Sequence, residues 1–412
     1  MTYLTPQALA ADLALRDLTD PADGPHAVQL IVDAILTAVT ARWNAGLVVH
    51  RGDRIVDVAD NYDRLGYTAD AATRDARYTR YVDAHRLLRS QTSALVPPGL
   101  RRIAAAGRTE VVLACPGIVY RRDTIDRLHT GTPHQLDIWR LTGGRKPTHH
   151  LRDLGVVVGT NQAKSREKAT TTPRSRRERL DRTDLLELIG VAVGAALPGV
   201  RWRTVPAAHP YTTGGLEIQA LVADRWIEIG ECGLAAPHVL RGAGLGPGVS
   251  GLALGVGLDR LLMLRKGIED VRLLRSADPR IAGQLRDLAP YRPVSAQPAA
   301  RRDLSVAVPE DMGAEEIGDR VRDCLGPDSH LVEEVRILSE TPADQLPSAA
   351  RDRLVIRDGE VNVLLRVVLR DLTTTVPIEL ANALRDRIYA ALHHTRGAAA
   401  ASGRLATTAA CR

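Results

Sequence analysis

Two stretches hold the side chains from which chemistry could be built. The first, "GLALGVGLDRLLMLRKGIEDVRLL", runs from Gly251 to Leu274 and places glycines at 251, 255 and 257 on an apolar strand that leads into Asp259 and Arg260. Glycine in a strand lets a flat or charged ligand come close to the backbone. The helix that begins at Asp259 offers free N–H groups and the positive end of its dipole to an anion. An arginine fixed there can hold a polyphosphate through two parallel hydrogen bonds. A tightly packed strand-helix corner with an exposed arginine would use the same residues. The second stretch, "VYRRDTIDRLHTGTPHQLD" (119–137), ends one strand at Arg121 and Arg122 and begins its antiparallel partner at His134, Gln135 and Asp137. The period of two puts His134 and Asp137 on opposite faces and Gln135 and Asp137 on the same one. A guanidinium facing an amide and a carboxylate suits a ligand that carries both a phosphate and an ammonium. A solvated hairpin with charged tips is the plainer alternative for either half alone.

These groups need a sheet and helices to position them. "AVQLIVDAILTAV" reads as an amphipathic helix, too short and too interrupted by Asp33 to span a bilayer. "TEVVLACPGIVYRRD" reads as a strand interrupted at Cys115-Pro116-Gly117, with "HQLDIWRLTG" as its partner. The basic segment 164–182 lacks hydrophobic periodicity. It precedes the helix "DLLELIGVAVGAAL", for which Thr183 or Asp184 is the expected N-cap. Strands return in "VRWRTVPA", "LEIQALVADRWIEIGECG" and "SGLALGVG", followed by the helix "LDRLLMLRKG". A Pro- and Ala-rich linker (286–300) leads to a β-α-β-β-α pattern over 301–396, and a low-complexity tail fills 397–412. The fold class expected is α+β.

Of the 412 residues 44% are hydrophobic, and the formal net charge is +6, an excess carried mostly by arginine, which favours polyanionic partners. Cys115, Cys232, Cys324 and Cys411 show no metal or disulfide spacing, so a reducing cytoplasm is the expected compartment and no metal site is indicated. His149-His150 and His393-His394 lack acids in a ligating pattern and read as surface histidines. The N-terminus lacks the basic start and apolar run of a signal peptide. The chain contains no phenylalanine, against nine tyrosines.

Taken in order, "LLRSQTS" (87–93), "VYRRDTIDRLHTGTPHQLD", "HPYTTGGLEI" (209–218), "ECGLAAPHVL" (231–240) and "GLALGVGLDRL" resemble the catalytic core of class II aminoacyl-tRNA synthetases, in the phenylalanyl form. "RRDLSVAVPE" and "ANALRDRIYAAL" resemble the ferredoxin-like anticodon-binding module of the single-chain, organellar-type enzymes. The resemblance covers roughly residues 50–395. It implies a catalytic domain over 1–285, with a class II antiparallel sheet flanked by helices, and an anticodon-binding domain over 301–396.

Carried over by position, the resemblance makes Arg121 the α-phosphate arginine and Arg260 the γ-phosphate arginine. Asp123 and Pro133 fall beside the adenine and His129 on the loop that approaches ATP. Gln91, Ser93, Gln135 and Asp137 take the amino acid's ammonium and carboxylate, and His209, Tyr211 and Ala253 surround its side chain. ATP and Mg²⁺ are the implied cofactors and tRNA the implied acceptor, with no membrane role; oligomeric state is left open. The activity implied is adenylation of phenylalanine or a close analogue followed by transfer to tRNA. A paralogue that passes the acyl group to a non-tRNA acceptor is the alternative. Where the family places phenylalanines, this chain has Pro133, His209 and Tyr211, which adds polar groups to the side-chain pocket.

Overall fold

The computed structural model describes residues 3–108, 110–122, 124–143, 179–293 and 297–393. His149, His150, Cys411, the tail 397–412 and most of the basic segment 164–182 lie outside these residues. Among the described residues the strands in chain order are β1 (Gly46–Val49), β2 (Ile55–Asp57), β3 (Arg86–Leu88), β4 (Val111–Ile118), β5 (His134–Thr142), β6 (Arg201–Pro206), β7 (Thr212–Val222), β8 (Arg225–Ala235), β9 (Ser250–Gly257), β10 (Ala300–Pro309), β11 (Val332–Pro342) and β12 (Glu360–Leu369). Seven of them form one sheet in the order β1-β4-β5-β9-β8-β7-β6. Every pairing is antiparallel except that of β1 with β4, which is parallel, so the expected antiparallel sheet carries one parallel edge. Strand β4 is also continuous through Cys115, Pro116 and Gly117, paired residue by residue with β5. Nothing interrupts it, because the whole of β4 is buried and its neighbours hold it extended.

The alternation of β5 and β9 divides the core. Leu136, Ile138, Leu252, Leu254 and Val256 face the helices Ala27–Trp43, Arg182–Ala196 and Leu258–Lys266. Trp139, Leu141 and Ala253 face the other way and pack with Leu95, Leu100, Ile103 and Tyr211. By the period of two, Asp137 and Gly255 continue this second face, past the end of its apolar packing. The helix Arg182–Ala196 starts ahead of the expected cap. Asp181 accepts from the backbones of Thr183 (2.8 Å) and Asp184 (3.1 Å), and Asp184 accepts in return from Asp181 N (2.9 Å), which is a capping box.

The C-terminal part is a second, three-stranded antiparallel sheet, ordered β10-β12-β11. The helices Ala314–Leu325 and Ile378–Leu392 close its apolar face, and a further helix, Ser348–Leu354, stands between β11 and β12 where the sequence pattern showed none. His393, expected on the surface, is half-buried and accepts from Ala307 N (3.0 Å). The loop between β4 and β5 reaches this second body. Ile125 sits in its apolar cluster and accepts from Val335 N (2.8 Å), while Arg122 pairs with Asp319 (3.0 Å).

One buried clamp joins β5 to the helix Leu258–Lys266. His134, fully buried, donates from Nδ1 to Asp259 Oδ1 (2.9 Å) and from its backbone N–H to Asp259 Oδ2. Its Nε2 accepts from Leu18 N (3.1 Å), which leaves Nδ1 as the nitrogen that donates to Asp259. Burial works against the charge on Asp259, but His134 and Arg275 outweigh it and hold its pKa below the usual 3.8. A carboxylate depressed in the folded state contributes stability above its unfolded pKa and loses it as pH falls through the folded one. Asp259→Asn is expected to cost about 3 kcal/mol at neutral pH and to flatten the loss of stability below about pH 4; urea titrations of both proteins across pH check both effects.

Candidate active site

A cleft of about 340 Å³ opens on the second face of the large sheet, where β5, β9 and β8 lie side by side. Asp137 is opposite Gly255 and Gln135 opposite Gly257, so the two glycines floor the cleft beside the two polar side chains. A Cβ at Gly257 would meet nothing within 4 Å, and one at Gly255 would come no nearer than 3.8 Å to the Asp137 carboxylate. These two glycines leave room for a ligand. Gly251 does not: a Cβ there would fall 2.8 Å from Leu141 and 3.1 Å from Ala235, so its smallness serves packing.

Both candidate phosphate arginines reach this cleft from elements far apart in sequence. Arg121 leaves β4 held by its backbone N–H to Gly131 O (2.8 Å), and its Nε donates to Ser90 O (2.7 Å). Arg260 donates from Nη1 to Glu228 O (2.8 Å) and approaches His129 Nε2 through Nη2 (3.4 Å). His129 is oriented by Asp126, 2.7 Å from its Nδ1. Burial alone would raise the Asp126 pKa; the bonds from His129 and two backbone N–H groups lower it below 3.8. Pro133 lines the same wall. Arg122 points to Asp319 and takes no part, and Asp123 lies outside the described residues.

At the other end Asp137, 4% exposed, accepts from Thr92 Oγ1 (2.7 Å) and Ser93 Oγ (3.0 Å). Burial pushes its pKa up to about 6 in spite of these hydroxyls. Gln135 Oε1 accepts from Thr92 N (3.2 Å), which turns its NH₂ group toward the cleft as a donor. Gln91 lines the cleft with its amide held by Asn61 O (2.9 Å) and the Tyr67 hydroxyl (3.3 Å). Tyr211 also lines it. His209 stacks on Tyr211 (centroids 5.8 Å apart), and Ala253 is buried in the apolar cluster beneath.

Sequence reasoning missed Thr92, Glu228 and Glu231. Thr92 and Ser93 both serve Asp137 because they lie in a 3₁₀ turn, Thr92–Leu95, where consecutive residues can converge. Glu228 and Glu231 would fall on opposite faces of a regular strand. A bulge at Ile229, where Gln219 pairs with Glu228 but Ile218 with Gly230, lets both reach the cleft.

An antiparallel sheet with two arginines from distant segments at one end of a cleft and a buried carboxylate at the other defines the class. Residues 17–155 and 183–285 match the family of tRNA synthetases class II core domain (F), and the chain belongs to that family. The probable phenylalanine--tRNA ligase, mitochondrial, of Drosophila melanogaster is 26% identical over 366 residues, covering 82% of this chain and 75% of that protein. The phenylalanine--tRNA ligase, mitochondrial, of Saccharomyces cerevisiae is 25% identical over 418 residues, covering 86% and 87%. The phenylalanine--tRNA ligase alpha subunit of Teredinibacter turnerae is 31% identical over 271 residues, covering 65% and 70%.

The Asp137 pKa has opposite consequences for stability and binding. A carboxyl raised in the folded state costs stability as pH climbs from its unfolded value toward 6, because the native state gives up its proton later than the unfolded chain. Asp137→Asn is therefore expected to raise the melting temperature above pH 6 while weakening amino-acid binding, and the wild-type KM for amino acid should rise as pH drops through about 6. Thermal melts and pH-resolved exchange kinetics measure the two.

Proposed function

We propose that this chain is a phenylalanine--tRNA ligase-type enzyme: it activates phenylalanine or a close analogue with ATP and passes the acyl group to tRNA. The observation that carries the reading is the convergence of Arg121 and Arg260, 139 positions apart in the sequence, on the cleft that also holds Asp137 and Gln135. The curated relatives named as phenylalanine--tRNA ligases support the same activity.

The chemistry divides among these residues. Asp137 holds the substrate ammonium, and the Gln135 NH₂ and Arg121 steady the carboxylate against the α-phosphate. The carboxylate oxygen attacks the α-phosphorus, the bond to the bridging oxygen breaks, and pyrophosphate leaves with its negative charge met by Arg260 and His129. Such a step needs positioning and charge neutralisation rather than a nucleophilic side chain. Pro133 covers one face of the adenine. Among the described residues no three His, Cys, Asp or Glu side chains group as a metal cage, so Mg²⁺ would arrive with the triphosphate and take Glu228 as its protein carboxylate. It would supply further charge neutralisation on the phosphates.

Residues 1–285 would form the catalytic domain and 301–396 the domain that reads tRNA, joined by the linker 286–300. Lys266, 2% exposed, fastens the start of that linker through Asp287 Oδ1 (3.0 Å) and the carbonyls of Asp287 (2.9 Å) and Ala289 (2.5 Å). Among the described residues no helix is long and apolar enough to cross a membrane. A reducing, cytoplasmic setting agrees with the buried free thiols of Cys115 and Cys232.

Arg121→Ala and Arg260→Ala should each lower amino-acid-dependent ATP–pyrophosphate exchange by about a hundredfold or more with little change in melting temperature. Unchanged exchange in either variant would remove the site assignment. Acid-labile aminoacyl transfer to total tRNA separates this reading from transfer to another acceptor.

A further inference from the structure

Glu231 plays no part in the adenylation chemistry, yet the fold puts it in the cleft with care. Gly255 pairs with Asp137 on one side and with Glu231 on the other, so the two carboxylates stand on the same face of three adjacent strands with a bare glycine between them. Their Cα atoms are thus two strand spacings apart, about 10 Å. Asp137 and Gln135 already account for the ammonium and carboxylate of a bound amino acid. Glu231 belongs to the other end, where the side chain would lie.

Its surroundings are built. His209 Nε2 lies 3.2 Å and the Tyr211 hydroxyl 3.4 Å from the same oxygen, Oε2 of Glu231. Oε1 is the oxygen left to meet a ligand. The bond from His209, against the effect of burial, holds the Glu231 pKa below its usual 4.5, so the group is an anion at neutral pH. Beside it the ring of Tyr211, stacked with His209 (centroids 5.8 Å apart) and tilted against Tyr67 (6.4 Å), forms a wall of the cleft that suits a flat side chain. An unsubstituted phenyl ring laid against this wall would strip water from an ionised carboxylate and return no hydrogen bond. A ring carrying a hydroxyl or amino group would return one.

We propose that Glu231 is the specificity-determining residue of the side-chain pocket and that it selects an aromatic amino acid bearing a hydrogen-bond donor on its ring over phenylalanine itself. The inference rests on the ligase reading above and narrows its substrate class. A pocket built to pair with a polar substituent discriminates strongly against the analogue that lacks it.

ATP–pyrophosphate exchange should be measured with phenylalanine, tyrosine, 3-hydroxyphenylalanine and 3-aminophenylalanine on the full chain and on Glu231→Ala and Glu231→Gln, with melting temperatures taken in parallel. In the wild type, kcat/KM for the best ring-substituted amino acid should exceed that for phenylalanine by about a hundredfold or more. Glu231→Ala should bring that ratio to within about tenfold of unity, and the isosteric Glu231→Gln should retain more activity with the hydroxylated than with the amino-substituted ring. If phenylalanine is the best wild-type substrate, or the ratio survives in Glu231→Ala, the proposal is overturned while the ligase reading stands. Absence of exchange with any amino acid overturns both.

Discussion

The site depends on one buried pair, His134 and Asp259. Each directly precedes a residue of the cleft, His134 coming before Gln135 and Asp259 before Arg260. The clamp thus fixes the strand that would hold the amino acid relative to the helix that would hold the far end of the triphosphate. Taking a carboxylate and an imidazole out of water is costly unless their hydrogen bonds are satisfied. Here Leu18 N and Arg275 meet the remaining imidazole nitrogen, at 3.1 and 3.2 Å. In-line attack on phosphorus gains its rate from alignment, so a rigid tie between the two ends of the cleft matters more than any reactive side chain within it.

Much of this was legible in the sequence because it follows from local periodicity. The glycine-lined strand, its helix and the shared face of Gln135 and Asp137 come from periods of two and 3.6, which burial enforces in a sheet covered by helices. The family motifs named nine residues that line one cleft: Gln91, Ser93, Arg121, His129, Pro133, Gln135, Asp137, Tyr211 and Arg260. The failures share a cause. The bulge at Ile229 adds one residue to β8 without leaving a mark in composition, and it shifts Glu228 relative to Glu231. Thr92 escapes a period-of-two reading because a 3₁₀ turn does not alternate. Arg122 adjoins Arg121 in the sequence, but its partner, Asp319, lies nearly two hundred positions away in the second body. Cys115-Pro116-Gly117 predicts a break in the strand, but burial on both sides holds β4 extended there.

The two carboxylates that flank Gly255 are displaced in opposite directions, and the difference bears on how the cleft works. Asp137 is buried with hydroxyl donors and no ion-pair partner among the described residues, so burial prevails and its pKa rises to about 6. Glu231 has His209 and Tyr211 and is held ionised. A cation arriving beside Asp137 supplies what the protein withholds, and the attraction is strong because the site is shielded from water. Had the fold given Asp137 an arginine of its own, it would gain stability and lose affinity for an ammonium. Glu231 carries its own partners, and an uncharged ring substituent, as proposed for its ligand, would not by itself hold an ionised group there. Under the proposed reading this asymmetry would put a charged ligand group at one end of the slot and an uncharged donor at the other, and so would set the direction in which an amino acid lies.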